Sequence, residues 1–285
     1  MRCIQKYNFA ALTIAITSKK YYPSTEAYSP FFSLHSSENH AFLINTAFDK
    51  SAFKPETHYL STFDSGGTWK LYKKTDRESI IVSGGRTFLF DETDRIGTIL
   101  IEKSEDSIAT IRGLLFPFDE LLYVKLLTKY SGIIAHACGI IDNGKGAVFV
   151  GASGNGKSTM AKVWMNEPNC TILNDDRIII REVDKGFYAY GTPWHGEVSV
   201  CNQGKVTLER LFFLQHADKN YARRIFPADA VSRLIVRSFP AIWDQEGMNA
   251  NLAFMARLTE EVPCYELGFV PDKSIITFLR EFTGE

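Results

Sequence analysis

The chain is 285 residues long, 45% hydrophobic and 23% charged, a composition that excludes disordered and fibrous chains and supports a buried core. Its formal net charge of -1 supplies no general positive field, so neither nucleic acid nor an anionic membrane is an expected partner. At roughly 100 to 200 residues per domain, the length points to two domains.

Five cysteines (Cys3, Cys138, Cys170, Cys201, Cys264) stand apart with no CxxC pair, an odd and scattered set that suits a reducing cytoplasm, the expected location. The apolar stretch Phe9 to Ile16 follows basic residues but is short and lacks a small-residue cleavage site, so a strand over Phe9 to Thr17 is expected instead of a signal peptide. No run of about 20 apolar residues exists to span a membrane.

Residues 1–112 read as a β-rich N-terminal domain. Short strands are expected over Phe9–Thr17, Ala41–Ile44, Thr68–Tyr72, Ser79–Ser83, Arg86–Phe90 and Gly97–Glu102, with Gly84-Gly85 as a hairpin signal. His35, His40 and His58 lie near one another in sequence but lack metal-ligand spacing. Residues 113–285 read as the catalytic domain. A helical pattern starts at Phe118, with Leu121, Leu122 and Leu126 on one face, Lys125 and Lys129 on another, and Asp119 and Glu120 in its first turn. A strand over Ile133–Ile141, a turn at residues 142–146 and a strand over Ala147–Val150 follow.

Gly151-Ala152-Ser153-Gly154-Asn155-Gly156-Lys157-Ser158 matches GxxxxGK(S/T) in full, after an apolar strand and before a helix over Thr159–Trp164. In such a Walker A loop, or P-loop, glycines let successive backbone N–H groups turn toward phosphate oxygens, and the helix adds its positive end. Gly151, Ser153, Gly154, Asn155, Gly156, Lys157, Ser158 and Thr159 are therefore the expected ATP-binding residues. Lys157 would meet the β and γ phosphates, and the Ser158 hydroxyl would help hold Mg²⁺.

After that helix, a turn at residues 167–169 leads to a strand over Cys170–Asn174, parallel to the one before the loop, and this return sets Asp175 and Asp176 level with the phosphates. Neighbours on a strand face opposite ways, so divided roles are expected. One aspartate would hold Mg²⁺ and the other accept the proton of an incoming hydroxyl, an assignment the sequence leaves open. With Asn143-Gly144 as hairpin turn, register sets His136 opposite Gly151, where it could orient an aspartate or touch the γ phosphate. Residues 190–197, rich in glycine and polar groups, read either as a functional loop in which Trp194, His195 and Glu197 could cover nucleotide or meet the acceptor, or equally as a structural loop with a packed tryptophan. The basic stretch Lys219 to Arg224 could stabilise transferred charge or form a solvated face.

Ile134-Ala135-His136, the loop Gly151 to Ser158, and Leu173-Asn174-Asp175-Asp176 together resemble the catalytic domain of the HPr kinase/phosphorylase family, in order and spacing, over about Phe118 to Gly204. The resemblance implies an α/β fold with a mixed sheet around a P-loop, shared with phosphoenolpyruvate carboxykinases, and ATP-dependent phosphorylation of a serine hydroxyl. It makes His136 and Asp175 or Asp176 the proton-handling candidates, with Lys157 and Ser158 on phosphate and metal. That family's Ile-Arg-Gly-Leu-Gly-Ile segment has no counterpart here; residues 191–197 take its place, and Gly247-Met248-Asn249 stands where an arginine would precede the asparagine. The whole is most similar to relatives of that kinase associated with peptide-modifying gene cassettes, which implies a protein or peptide acceptor such as a precursor peptide. A non-catalytic ATP sensor and a small-molecule kinase are the alternative readings; oligomeric state is left open.

Overall fold

The computed structural model describes residues 3–18, 26–33, 40–49, 60–73, 78–91, 95–102 and 116–284. The protein is α/β, with two mixed sheets, and divides into two compact units, Met1–Tyr123 and Val124–Glu285. The division falls inside helix α1 (Phe118–Lys129); the boundary expected between residues 112 and 113 lies outside the described residues.

In the first unit the described strands are β1 (Cys3–Phe9), β2 (Leu12–Ser18), β3 (Phe32–Ser33), β4 (Phe42–Asp49), β5 (Leu60–Asp64), β6 (Lys70–Lys73), β7 (Glu78–Ser83), β8 (Arg86–Asp91) and β9 (Ile96–Glu102). They form one sheet in the order β3-β1-β2-β4-β9-β8-β7-β6-β5, parallel only at β2–β4 and β4–β9. The strand expected over Phe9–Thr17 is corrected: Phe9 ends β1, and Ala10 and Ala11, both at φ 54°, make the turn into β2. Two consecutive positive-φ residues suit the right-handed twist of a hairpin, but the position normally shows glycine or asparagine, so two alanines gave no warning. Of the three histidines noted above, His40 is exposed, and His35 and His58 lie outside the described residues.

In the second unit come β10 (Gly132–Asp142), β11 (Lys145–Val150), α2 (Lys157–Trp164), β12 (Cys170–Asn174), β13 (Arg177–Val183), β14 (Gly186–Tyr190), β15 (Lys205–His216), β16 (Tyr221–Arg224), α3 (Pro227–Ile235), α4 (Gln245–Glu261), β17 (Cys264–Phe269) and α5 (Ser274–Glu281). β11 pairs antiparallel with β10 and parallel with β15, so the pairings β10–β13–β14–β15–β11–β10 run in a closed circuit. Because β10 and β11 are buried on both faces, they read as continuous apolar runs. Ile133, Ala135, Ala137, Val148 and Val150 enter the core shared with α3 and α4. Cys138, Ile140 and Phe149 face the opposite way, toward α2 and α5.

β12 runs in the same direction as β11, as expected, but bonds to β10, which lies between them. One edge of β10 is thereby divided: its residues 132–136 pair with β13 and its residues 139–142 with β12. The basic stretch ending at Arg224 forms β16, where Arg223 pairs with Glu266 at 2.9 Å and Arg224 lies over the Tyr265 ring. Among the described residues no helix is long and apolar enough to cross a membrane.

Candidate functional site

Three consecutive features of the second unit converge on one place. The β10–β11 hairpin turns at Asn143 and Gly144, with φ 49° and 81°, and the register that follows sets Ala137 opposite Val150. His136 thus stands beside the first residue after β11, and its carbonyl accepts the Gly151 N–H at 3.4 Å. From the other edge of β10, the joint between β12 and β13 delivers the acidic pair: Asn174 is opposite Gly139, Arg177 is opposite His136, and the Ala137 N–H donates to the Asp176 carbonyl at 2.9 Å.

The turn at this joint is built by Asn174, which is fully buried. Its Oδ1 accepts the N–H groups of Asp176 and Arg177 at 2.7 and 2.9 Å, and its Nδ2 donates to the Thr192 carbonyl at 2.9 Å. Asparagine side chains favour this kind of local bond, which ends a strand and rotates the residues after it. Asp175 and Asp176 consequently diverge.

Asp176 faces His136, whose Nε2 lies 3.0 Å from Oδ1, while Oδ2 accepts from the Arg177 guanidinium. Burial pushes the Asp176 carboxyl up, but the His136 hydrogen bond and the charges of Arg177, His136 and Lys157 together hold it below the usual carboxylate range. Asp176 is therefore ionised at neutral pH. Arg177 is held in turn by the Phe239 ring, 4.9 Å beneath its guanidinium. Phe239 also approaches the His136 ring edge-on, and its N–H bonds to the Ile134 carbonyl.

Asp175 is 1% exposed and turns away, toward the loop after β14. Its Oδ1 accepts the Gly196 N–H and its Oδ2 the Val198 N–H, each at 2.9 Å. The segment from 191 to 200 is thus tied to the acidic pair through its backbone. Trp194 is buried, His195 and Glu197 are exposed, and among the described hydrogen bonds and ion pairs neither of the last two joins His136 or Asp176.

The glycine loop follows β11. Gly154 and Gly156 have φ 84° and 91°, and a Cβ at Gly156 would sit 2.7 Å from the Phe269 ring, so glycine is required there on two counts. Lys157 is buried and folds back, donating from Nζ to the carbonyls of Gly151 and Ala152 at 3.1 Å each. Burial lowers its pKa, opposed by Asp176, Cys138 and Asp175. Asn155 and His216 brace the loop from β15: Asn155 Nδ2 donates to the Leu214 carbonyl, and His216 Nε2 lies 3.0 Å from the Gly154 carbonyl. Ser153 is exposed, and Ser158 and Thr159 open α2 half-buried.

Arg177, Phe239 and His216 were not among the residues expected here. Arg177 could have been found, since it directly follows the acidic pair; nothing in the local sequence marks Phe239 or His216. Among the described residues no group of three or more His, Cys, Asp or Glu side chains could by itself hold a metal ion. No protein-family model matches the chain, and no curated protein matches it.

Proposed function

We propose that this protein is an ATP-dependent kinase that phosphorylates a hydroxyl, a serine hydroxyl by its resemblance to HPr kinase, on a protein or peptide acceptor. The proposal includes the P-loop fold which that resemblance implies. The observation that carries it is the His136–Asp176 pair, 3.0 Å apart, at the mouth of a loop with the full GxxxxGK(S/T) pattern. A nucleotide-binding loop alone would suit a sensor. An ionised carboxylate oriented by both a histidine and an arginine beside that loop suits proton transfer as well.

In this reading the loop's N–H groups and the start of α2 receive the triphosphate, and Lys157 leaves the Gly151 and Ala152 carbonyls for the β and γ oxygens. The acceptor oxygen forms its bond to the γ phosphorus as the bond from that phosphorus to the β–γ bridging oxygen breaks, and ADP leaves. Asp176 takes the acceptor's proton, with His136 and Arg177 fixing the carboxylate's orientation. Asp175 holds the 191–200 segment against the site.

The donors present fit a magnesium ion that arrives on the triphosphate and keeps much of its water. Ser158 would offer a hydroxyl and Asp176 a carboxylate through water, whereas each oxygen of Asp175 already accepts a backbone N–H. Bound there, Mg²⁺ would neutralise charge on the β and γ oxygens.

The test is label transfer. Purified protein is incubated with Mg²⁺ and γ-labelled ATP, with and without serine-containing peptides and small hydroxy compounds. Label is expected on a peptide, and Lys157→Ala should lower transfer by at least about a hundredfold while the chain stays folded. Tight ATP binding with no transfer to any acceptor would favour a sensor, and label on small compounds alone would move the acceptor class.

A further inference from the structure

The glycine loop rests on the ends of two strands besides its own. β11 runs parallel to β15 with Val150 opposite Phe213, and β15 runs parallel to β17 with His216 opposite Phe269, so all three strands end on the same side of the sheet. In α/β sheets, ligands bind outside such carboxyl ends. The chain leaves β11 against β15, where a Cβ at Gly151 would lie 3.6 Å from the Leu214 Cβ. Beyond Leu214 only Gln215 and His216 remain before β15 ends.

The last register pair of β15 and β17 carries the tip of the loop. Phe269 supplies an apolar seat, its ring close enough to bar a Cβ at Gly156. His216 supplies a polar one, with Nε2 3.0 Å from the Gly154 carbonyl oxygen. A carbonyl only accepts, so Nε2 carries the hydrogen in this bond. Asn155 makes a second tie to β15, from Nδ2 to the Leu214 carbonyl at 3.2 Å.

The His216 bond fixes the peptide between Gly154 and Asn155. A trans peptide is planar, with its N–H directed opposite to its carbonyl. The Gly154 carbonyl is turned toward His216, so the Asn155 N–H is turned the other way, and it donates to the Ala152 carbonyl at 3.1 Å. That same carbonyl accepts from Lys157 Nζ. One side-chain bond from β15 thus aims a backbone donor at the place where the loop lysine lies. Gly154, at φ 84°, leaves this peptide many orientations, and its own backbone does not select one.

We propose that His216 is a positioning residue for the nucleotide, holding the glycine loop, through the Gly154 carbonyl, in the shape that receives a triphosphate. The identity of that ligand rests on the kinase reading. His216 bonds to the loop and not to the transferred group, so its bond is the same before and during transfer and sets affinity for ATP without setting the rate. In its absence the ligand must order the loop on binding, and affinity falls by that cost.

The full chain is titrated with ATP and Mg²⁺ by calorimetry. His216→Ala should weaken binding about three- to tenfold, the worth of one hydrogen bond, while the midpoint of urea unfolding stays close to that of the wild type because His216 is exposed. His216→Gln, whose side-chain amide again presents a donor, should restore most of the affinity. Label transfer at saturating ATP should run at the wild-type rate in His216→Ala. Equal ATP affinity in the wild type and a folded His216→Ala protein overturns the inference and leaves the kinase reading standing; no ATP binding by the wild type removes both. A transfer rate that drops in His216→Ala while ATP affinity holds also overturns it. Should His216→Ala unfold, nitrogen NMR of the wild-type imidazole carries the test: the neutral ring is expected as the Nε2–H tautomer, and the Nδ1–H tautomer overturns the bond.

Discussion

Asp175 and Asp176 are chain neighbours whose carboxylates do different work, and their substitutions should separate cleanly. In Asp175→Asn the amide can accept one of the two N–H groups, but its NH₂ must face the other, a donor against a donor. A loss of about 1 to 3 kcal/mol in stability is expected, measured by urea unfolding. If the proposed kinase reading holds, Asp176→Asn should instead lower turnover by about a hundredfold or more with nucleotide affinity little changed. The same variant carries a pH signature. Because the folded pKa of Asp176 is depressed, its contribution to stability is present above the ordinary carboxylate pKa of about 3.9 and is lost as pH falls through the lower folded value. The melting-temperature advantage of the wild type over Asp176→Asn should therefore be level from about pH 7 to pH 5 and shrink below about pH 4. A difference that stayed constant down to pH 2 would mean that His136 and Arg177 do not favour the charged carboxylate.

At the scale of elements, the segment after β14 is fastened by two backbone donors, and Gly196 makes that fastening sterically possible. A Cβ there would lie 2.8 Å from Asp175 Oδ2 and 3.0 Å from Asp176 Cβ. Gly196→Ala should push the segment off Asp175, seen as faster exchange of the amides at position 196 and at Val198 with the strands around β10 unaffected. Much of this level was legible beforehand. β10, β11, β12 and α2 are marked by apolar runs, by Asn143-Gly144 and by the glycine loop, and counting from that turn locates His136 beside Gly151. Other elements carry no such mark. The Ala10-Ala11 turn adopts positive φ without a residue that favours it, and the 237–239 segment reaches β10 through single backbone bonds from Arg237 and Phe239, which leave no periodicity to read. Tertiary placement alone brings Phe239 under Arg177.

At the scale of the molecule, the closed circuit of strands in Val124–Glu285 should set the order in which that unit opens. Amides of β10, β11 and β15, paired on both sides over much of their length, should exchange only on global unfolding, and those of the edge strand β16 well before them. Native-state hydrogen exchange read by residue decides it. The α/β class and a division of the chain could be argued from strand and helix patterns. The circuit could not, since it depends on β11 meeting β15 some sixty positions later, and nothing in either strand names its partner. The divided edge of β10 has a consequence for how such a chain can change over time. Asn174 to Arg177 spans the same three steps as Gly139 back to His136, so one inserted or deleted residue at that joint would throw either β12 or β13 out of step and carry the acidic pair away from His136. The number of residues at that joint is therefore fixed, whereas the tip at Asp184 and Lys185, exposed and bonded among the described residues only within its own hairpin, is free to lengthen.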